Sequence, residues 1–227
     1  MILNSSGNVG KSTLTALFAT KMEDTQIIEV ETVNKGNSEV EGLNVFKFNA
    51  NDNFETVYEK IMMNENVIVD IGASSLGNFM DNMNAYAGIE TVFDKFIIPT
   101  VSDEKIQTDT FKTISFLRAL EVEDDKIEVV FNRVKNSVEN DFAPLLKAPF
   151  PFKKDLFIKE SSVFKEIGFL RMSLDSGFNE DVSFYTKKML EEKDKKQKAI
   201  FLKMDLTNKM IHKIKSNLDF VYSQIAS

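Results

Sequence analysis

Short apolar runs alternate along this chain with longer stretches whose apolar positions recur every three or four residues. Residues 1–4 are the first run, and Leu14, Leu17 and Phe18 follow at helical spacing. Gln26–Glu31 and residues 43–49, starting at Leu43, predict two strands, the second with Phe46 and Phe48 alternating against polar neighbours. Phe54–Met63 predicts a helix. Residues 66–70 predict a buried strand ending in Asp70, and residues 76–87 a helix. A strand over 95–99, a long helix over 103–120 and a strand over 126–132 follow, the last carrying Val129, Val130 and Phe131. Beyond Asn136 the pattern loosens. Residues 143–154 hold Pro144, Pro149 and Pro151, which predicts a loop feeding a last edge strand. Charged helical stretches over 181–204 and 205–225 end the chain. Strands alternating with helices predict an α/β fold, a doubly wound and mostly parallel sheet covered on both faces. The division expected is one domain over 1–175 and a C-terminal helical extension over 176–227.

The connection between the first strand and first helix reads Ser5-Ser6-Gly7-Asn8-Val9-Gly10-Lys11-Ser12-Thr13. This is the pattern of a phosphate-binding loop, and its strand–loop–helix setting is what the pattern requires. Gly7 and Gly10 let the backbone turn and bring N–H groups, those of Asn8 and Val9 included, close to phosphate oxygens. The helix that opens at Lys11-Ser12-Thr13 turns free N–H groups and its positive dipole end toward the same anion. Lys11 is expected to reach the β- and γ-phosphates, and the Ser12 hydroxyl to join the shell of Mg²⁺. These motifs predict a P-loop NTPase that binds ATP or ADP with Mg²⁺. One position departs from the usual Gly-x4-Gly-Lys-Ser, where Ser5 stands in place of the first glycine.

Composition narrows the classes. The chain has 227 residues, 43% of them hydrophobic, which is enough for one α/β domain with an appendage. It has no cysteine, which excludes disulfides, thiolate metal sites and a cysteine nucleophile. No signal peptide precedes the loop and no apolar run reaches the ~18 residues of a membrane span, so a cytoplasmic protein is expected. The net charge is −7, yet residues 186–215 hold ten Lys (Lys187 and Lys215 among them) against four acids, a local excess of +6 in an otherwise acidic chain. Such a segment is either a solvated helix face or a sequence-independent contact to DNA phosphates. The stripe Leu206, Met210, Ile214, Leu218, Val221 and Ile225 is expected to pack on the domain or on a partner subunit. His212 has no companion ligand and is read as structural or exposed.

Other candidates lie at strand ends, where doubly wound sheets bind ligands. Asp70 is expected to hold Mg²⁺ or its water shell, with the Gly72 N–H meeting the γ-phosphate and residues 71–75 acting as a switch; the alternative is a carboxylate that caps the next helix. Asn132 presents a donor and an acceptor suited to the edge of adenine. The Asp that reads guanine in Asn-Lys-x-Asp motifs is missing from Asn132-Arg133-Val134-Lys135, which favours ATP over GTP. Pro151 and Phe152 are expected to flank the base. Glu29 and Glu31 share one side of their strand by alternation.

The loop Ser6-Gly7-Asn8-Val9-Gly10-Lys11-Ser12, with Val69-Asp70-Ile71-Gly72-Ala73-Ser74, resembles the StbB/TraL group of plasmid stability and transfer proteins within the ParA/MinD class of deviant phosphate-loop ATPases. Ile98-Pro99-Thr100 and Asp109-Thr110 are similar too, and the resemblance spans about residues 1–170. It implies adenine specificity, slow Mg²⁺-dependent ATP hydrolysis, nucleotide-dependent dimerisation, and work with a plasmid-encoded partner protein in partitioning, positioning or transferring DNA. It also implies a water-positioning carboxylate at the end of the second strand, for which Glu31 is the candidate. The class carries a lysine before the paired glycines that reaches the partner's nucleotide. Here Ser6 holds that place and Asn8 replaces the second glycine, so weak intrinsic hydrolysis is expected. Two other classes remain open: a non-hydrolysing nucleotide-binding adaptor, and a metabolic ATP-dependent enzyme of the dethiobiotin synthetase kind.

Overall fold

Residues 1–3 occupy the middle of the sheet. Ile2 bridges in parallel to Asp70 on one side and Ile97 on the other, with Ile2 N donating to Val69 O at 2.8 Å and Leu3 N to Ile97 O at 3.0 Å. Buried on both faces, this run has the continuous apolar character of a central parallel strand. The structure, a computed structural model, describes residues 1–31, 44–49, 54–170 and 174–226. In chain order its elements are α1 (Lys11–Ala19), β1 (Gln26–Glu31), β2 (Asn44–Asn49), α2 (Phe54–Met63), β3 (Val67–Ile71), α3 (Leu76–Asn84), β4 (Phe96–Thr100), α4 (Glu104–Ala119), β5 (Ile127–Val134), α5 (Val138–Asp141), β6 (Phe157–Lys159), α6 (Val163–Leu170), α7 (Leu174–Asn179), α8 (Phe184–Glu191) and α9 (Lys195–Ala226). Leu43, expected at the start of the third strand, lies outside the described residues.

Every pairing is parallel, and the strand order is β2-β1-β3, then residues 1–3, then β4-β5-β6. Alternation along the strands sorts the side chains onto two cores. Leu3, Ile28, Val30, Val69, Ile98 and Phe131 pack with α2, α3 and α4, around the fully buried Phe79 and Phe96. Ile2, Ile27, Ile68, Ile97 and Val130 pack on the other face with α1, α6, α7 and α9. Each fully buried large aliphatic or aromatic side chain contributes about 1.5–3 kcal/mol, so both faces hold the sheet. The same parity sends Glu29, Glu31 and Asp70 to the face covered by α1, because they alternate with Ile28, Val30, Val69 and Ile71.

The C-terminal helices break elsewhere than expected. The stop falls at residues 192–194, where Glu192 Oε1 accepts from the N–H groups of Lys193 (2.7 Å) and Asp194 (2.9 Å), and Asp194 Oδ1 accepts from Gln197 N at 2.8 Å. Asp205, the first residue of the second expected stretch, is buried inside the 32-residue α9, bonded to Thr186 and to Lys209. Ile211, Leu218, Val221 and Ile225 form the buried stripe, whereas Leu206, expected in it, is 56% exposed. α3 is also shorter than expected. It ends at Asn84, and Gly88 (φ 78°) turns the chain into a short 3₁₀ segment over Ile89–Val92.

Candidate functional site

The loop between residues 4 and 10 emerges at the carboxyl edge of the sheet and is held from below by its own strand. Asn4 is fully buried; its Nδ2 donates to Pro99 O (2.9 Å) and Thr110 Oγ1 (3.0 Å), and its Oδ1 accepts from Ser6 N (2.8 Å). Thr110 Oγ1 also bonds Thr100 Oγ1 at 2.8 Å. Ser5 and Ser6 then dock on α4, with Ser6 Oγ donating to Asp109 Oδ2 at 2.9 Å and Ser5 Oγ to Asp109 O at 3.2 Å. The position that carries a lysine in the class named above is therefore spent here on anchoring the loop to α4. The Ser6 hydroxyl, with Lys112 beyond it, holds the Asp109 carboxyl below its usual range.

Asn8 adopts a left-handed conformation (φ 59°), which asparagine tolerates better than other side chains, so the loop keeps the turn that a glycine would make. Gly10 (φ 101°) is required twice over. Its conformation disfavours a side chain, and a Cβ there would lie 2.2 Å from Asn132 Nδ2. Val9 is buried beneath the loop. Behind Gly10, α1 begins with no side-chain cap and no acidic residue in its first turn. Its leading N–H groups, those of Lys11, Ser12 and Thr13, thus lack the competing anion that helix starts usually recruit.

Lys11 folds back over the loop, with Nζ donating to Ser6 O at 2.9 Å and Asn4 O at 3.3 Å. Burial lowers its pKa, opposed by the charges of Asp70 and Glu31. Asp70 sits in β3 in register with Glu29 of β1, 6% exposed, and accepts from Thr15 Oγ1 at 2.8 Å. Burial pushes its pKa up to about 6, against the pull of the Thr15 hydroxyl and Lys11. Glu31 ends β1 with its carboxylate lying over Gly72. A Cβ on Gly72 would meet Glu31 oxygens at 2.7 and 2.8 Å, so the glycine makes room for the acid. Burial raises the Glu31 pKa as well, and Glu29 adds to the rise. Ser12 is exposed on the first turn of α1. The structure thus gathers Gly7, Asn8, Val9, Gly10, Lys11, Ser12, Thr13, Glu31 and Asp70 at one edge of the sheet.

Three expectations meet a different geometry. The Gly72 N–H donates to Val30 O at 2.8 Å, extending the β1–β3 pairing by one residue, and so does not face the loop. Asn132 reaches the loop, but as a clamp. Its Nδ2 donates to Val9 O at 2.8 Å and its Oδ1 accepts from Arg133 N at 2.9 Å, at a bulge where Arg133 takes φ 57°. Pro151 lies toward the opposite end of β5. Its neighbours are tied there by Arg118 Nη2 to Pro149 O (3.1 Å), by the Arg118 guanidinium over the Phe150 ring (5.3 Å) and by Lys153 to Glu128. Phe152 packs on Phe131. The physical reason is chain direction: β6 starts only at Phe157, so residues 143–156 travel back along the sheet before β6 returns toward the loop.

Sequence reasoning passed over Thr15 and Asn4. Both carry a signal in hindsight, since each is a polar residue at a position where the local period calls for an apolar one. A cavity of about 900 Å³ opens at the amino edge of the sheet against Phe18, Met22, Ile61, Phe93 and Tyr222, remote from this site.

The fold recurs in solved structures. The MinD cell division protein of Aquifex aeolicus superposes with a TM-score of 0.50 at 18% identity, over 93% of this chain and 95% of that one. The fold is shared with MinD. The MinC:MinD complex from the same organism gives 0.51 at 16% identity, over 93% and 94% of the two chains. A plasmid partition protein of Borrelia burgdorferi B31 bound to AMPPNP gives 0.50 at 17% identity, over 90% of this chain and 96% of that one. At these identities the likeness establishes the fold alone, the α/β fold of MinD with its parallel sheet between helices. No family model and no curated protein sequence matches the chain. No helix among the described residues is long and apolar enough to cross a membrane.

The residues at this edge fit a nucleoside triphosphate and a hard divalent cation. The uncapped α1 start and Lys11 suit phosphate oxygens, and the Ser12 hydroxyl with the Asp70 carboxylate are the oxygen donors that Mg²⁺ prefers.

Proposed function

We propose that this protein is an ATP- and Mg²⁺-dependent molecular switch with slow ATPase activity, serving the stability, partition or conjugative transfer of plasmid or mobile-element DNA in the cytoplasm. The observation that carries it is the uncapped, acid-free start of α1 behind Gly10, flanked by Lys11 and the buried Asp70. The partition protein bound to AMPPNP has the same fold, which supports a nucleotide ligand. The StbB/TraL resemblance of the loop and of residues 69–74 supports the plasmid setting.

In this reading the N–H groups of residues 8–13 and the Lys11 ammonium bind the phosphates, and Ser12 and Asp70 would hold the metal, which would supply neutralisation of phosphate charge. Glu31 orients water at the end of β1. Asn132 braces the loop through Val9 and keeps one amide hydrogen for a base. Ser6 adds no positive charge across a dimer. Removing such a cation costs ~10³-fold or more in phosphoryl transfer, so turnover is slow. The segment 176–227 packs on the α1 face of the sheet and presents its basic residues to partners from there. The cations Lys187, Lys188, Lys193, Lys195, Lys196 and Lys198 cluster around the turn between α8 and α9 and supply sequence-independent DNA contact.

Titration calorimetry tests the core of this reading. Lys11→Ala is expected to weaken ATP binding roughly 100-fold, which matches the loss of one or two charge-assisted hydrogen bonds of ~1.5–3 kcal/mol each. Because the Lys11 charge is desolvated without ligand, the free variant should melt close to the wild type. Equal ATP affinity in the two proteins would remove the phosphate loop from the account. Light scattering with ADP–Mg²⁺ and with AMPPNP–Mg²⁺ tests the switch, and a dimer specific to AMPPNP is expected. A monomer in both states would favour a nucleotide-binding adaptor.

A further inference from the structure

Thr15 lies one turn into α1, fully buried on the face that otherwise carries Leu14, Leu17 and Phe18 into the core. A polar side chain at such a position costs stability unless its hydroxyl is satisfied. Its Oγ1 has two acceptors in reach, Asp70 Oδ2 at 2.8 Å and Lys11 O at 3.2 Å, and only one proton to give. The shorter, charge-assisted contact takes it. This bond joins the helix that starts at the phosphate loop to the strand that carries the buried carboxylate, across 55 residues of sequence. It also ties down one carboxylate oxygen, Oδ2, and leaves Oδ1 outside this bond.

Resting on the switch reading above, we propose that Thr15 is the positioning residue of the metal site: its hydroxyl fixes the rotamer of Asp70 so that one oxygen is held in the protein and the other is presented to the cation. Ser12 is too exposed to do this job, because it stands on the outer side of the first turn. Carboxylates that ligate metals are commonly oriented by such an outer hydrogen bond, and losing it typically costs 10–100-fold in metal affinity. Through this bond a shift of α1 along its axis would move the Asp70 carboxylate with it.

The deciding contrast is Thr15→Ser against Thr15→Ala, two variants that both drop the methyl group and differ only in the hydroxyl. Thr15→Val, which keeps the shape, is the third. AMPPNP binding is followed by calorimetry in the presence of EDTA and over a Mg²⁺ titration, and each free protein is melted. Thr15→Ser should keep the wild-type Mg²⁺ dependence. Thr15→Ala and Thr15→Val should need about tenfold more Mg²⁺ for half-maximal enhancement of binding, with affinity in EDTA unchanged. If Ala and Ser respond to Mg²⁺ alike, Thr15 is a satisfied core hydroxyl and the assignment is overturned, whatever the melting temperatures. Wild-type protein that binds no AMPPNP under any condition would instead overturn the nucleotide reading itself, before any variant is compared.

Discussion

Asp70→Asn is expected to make the free protein more stable at neutral pH while removing its response to Mg²⁺. Burial raises the Asp70 pKa from an ordinary 3.8 to about 6. Keeping this group charged at pH 7 therefore costs on the order of 3 kcal/mol, at 1.36 kcal/mol per pH unit. For a chain of this size that corresponds to a gain of roughly 5–10 °C in melting temperature when the charge is removed. Asparagine retains an oxygen for the Thr15 hydroxyl and ends the repulsion from Glu29 and Glu31. The sign of the pH dependence follows from linkage. Folding raises this pKa, so between about pH 4 and 6 the native state holds a proton that the unfolded chain has released. The contribution of Asp70 is thus fully present below about pH 4 and is lost as pH rises through about 6. The advantage of the variant should shrink on acidification and vanish near pH 4. The difference between the two proteins is the quantity to measure, because Asp109, Asp124 and Asp141, whose pKa values are lowered by their hydrogen bonds, give the opposite slope at acid pH in both. A variant less stable than wild type at pH 7 would mean that the Asp70 charge is compensated in the free protein. A protein that gives up stability to keep a buried carboxylate at a strand end shows the pattern expected of a site built for a ligand.

The second large effect concerns the loop. Gly10→Ala should lower stability by about 2–5 kcal/mol, from backbone strain at φ 101° and from the 2.2 Å approach to Asn132 Nδ2. Asn132 can swing away only by abandoning Val9 O, which leaves a buried carbonyl without its donor. Differential scanning calorimetry on a double-mutant cycle separates the two causes. Asn132→Ala alone should cost about 1–3 kcal/mol. In that background Gly10→Ala should cost less than it does in the wild type, because only the strain remains. An unchanged cost would mean that Asn132 does not police this position.

These two residues show where sequence reading stops. The glycine and the asparagine were both legible as candidates, one from the loop pattern and one from its place at the end of an apolar strand. That they touch each other was not legible, because 122 positions separate them and nothing in either segment encodes the distance. Ser6 is a similar case. The sequence shows a missing positive charge, whereas the structure shows a hydroxyl recruited to Asp109 on α4. Pro151 was misjudged for a different reason. A proline-rich loop can be recognised without knowing which end of the sheet it crosses, and the start of β6 decides that.

By itself the sequence determined the alternation of strands and helices, the parallel sheet that follows from it, and the glycine-bearing loop with Lys11 and Ser12 at a helix start. These are local matters: a period of two or near four, a glycine where the backbone turns, and charges absent from a first turn. It also placed Asp70 at a strand end and Glu29 and Glu31 on one side of theirs. Only the tertiary structure decided that residues 1–3 run between β3 and β4, and that Thr15 bonds Asp70. The same holds for Asn132 locking the loop, and for the long helix starting after Asp194 with Leu206 facing outward. Those outcomes depend on which strands become neighbours and on which buried polar groups find partners. Long-range packing and hydrogen-bond satisfaction settle both, and a local pattern carries no record of either.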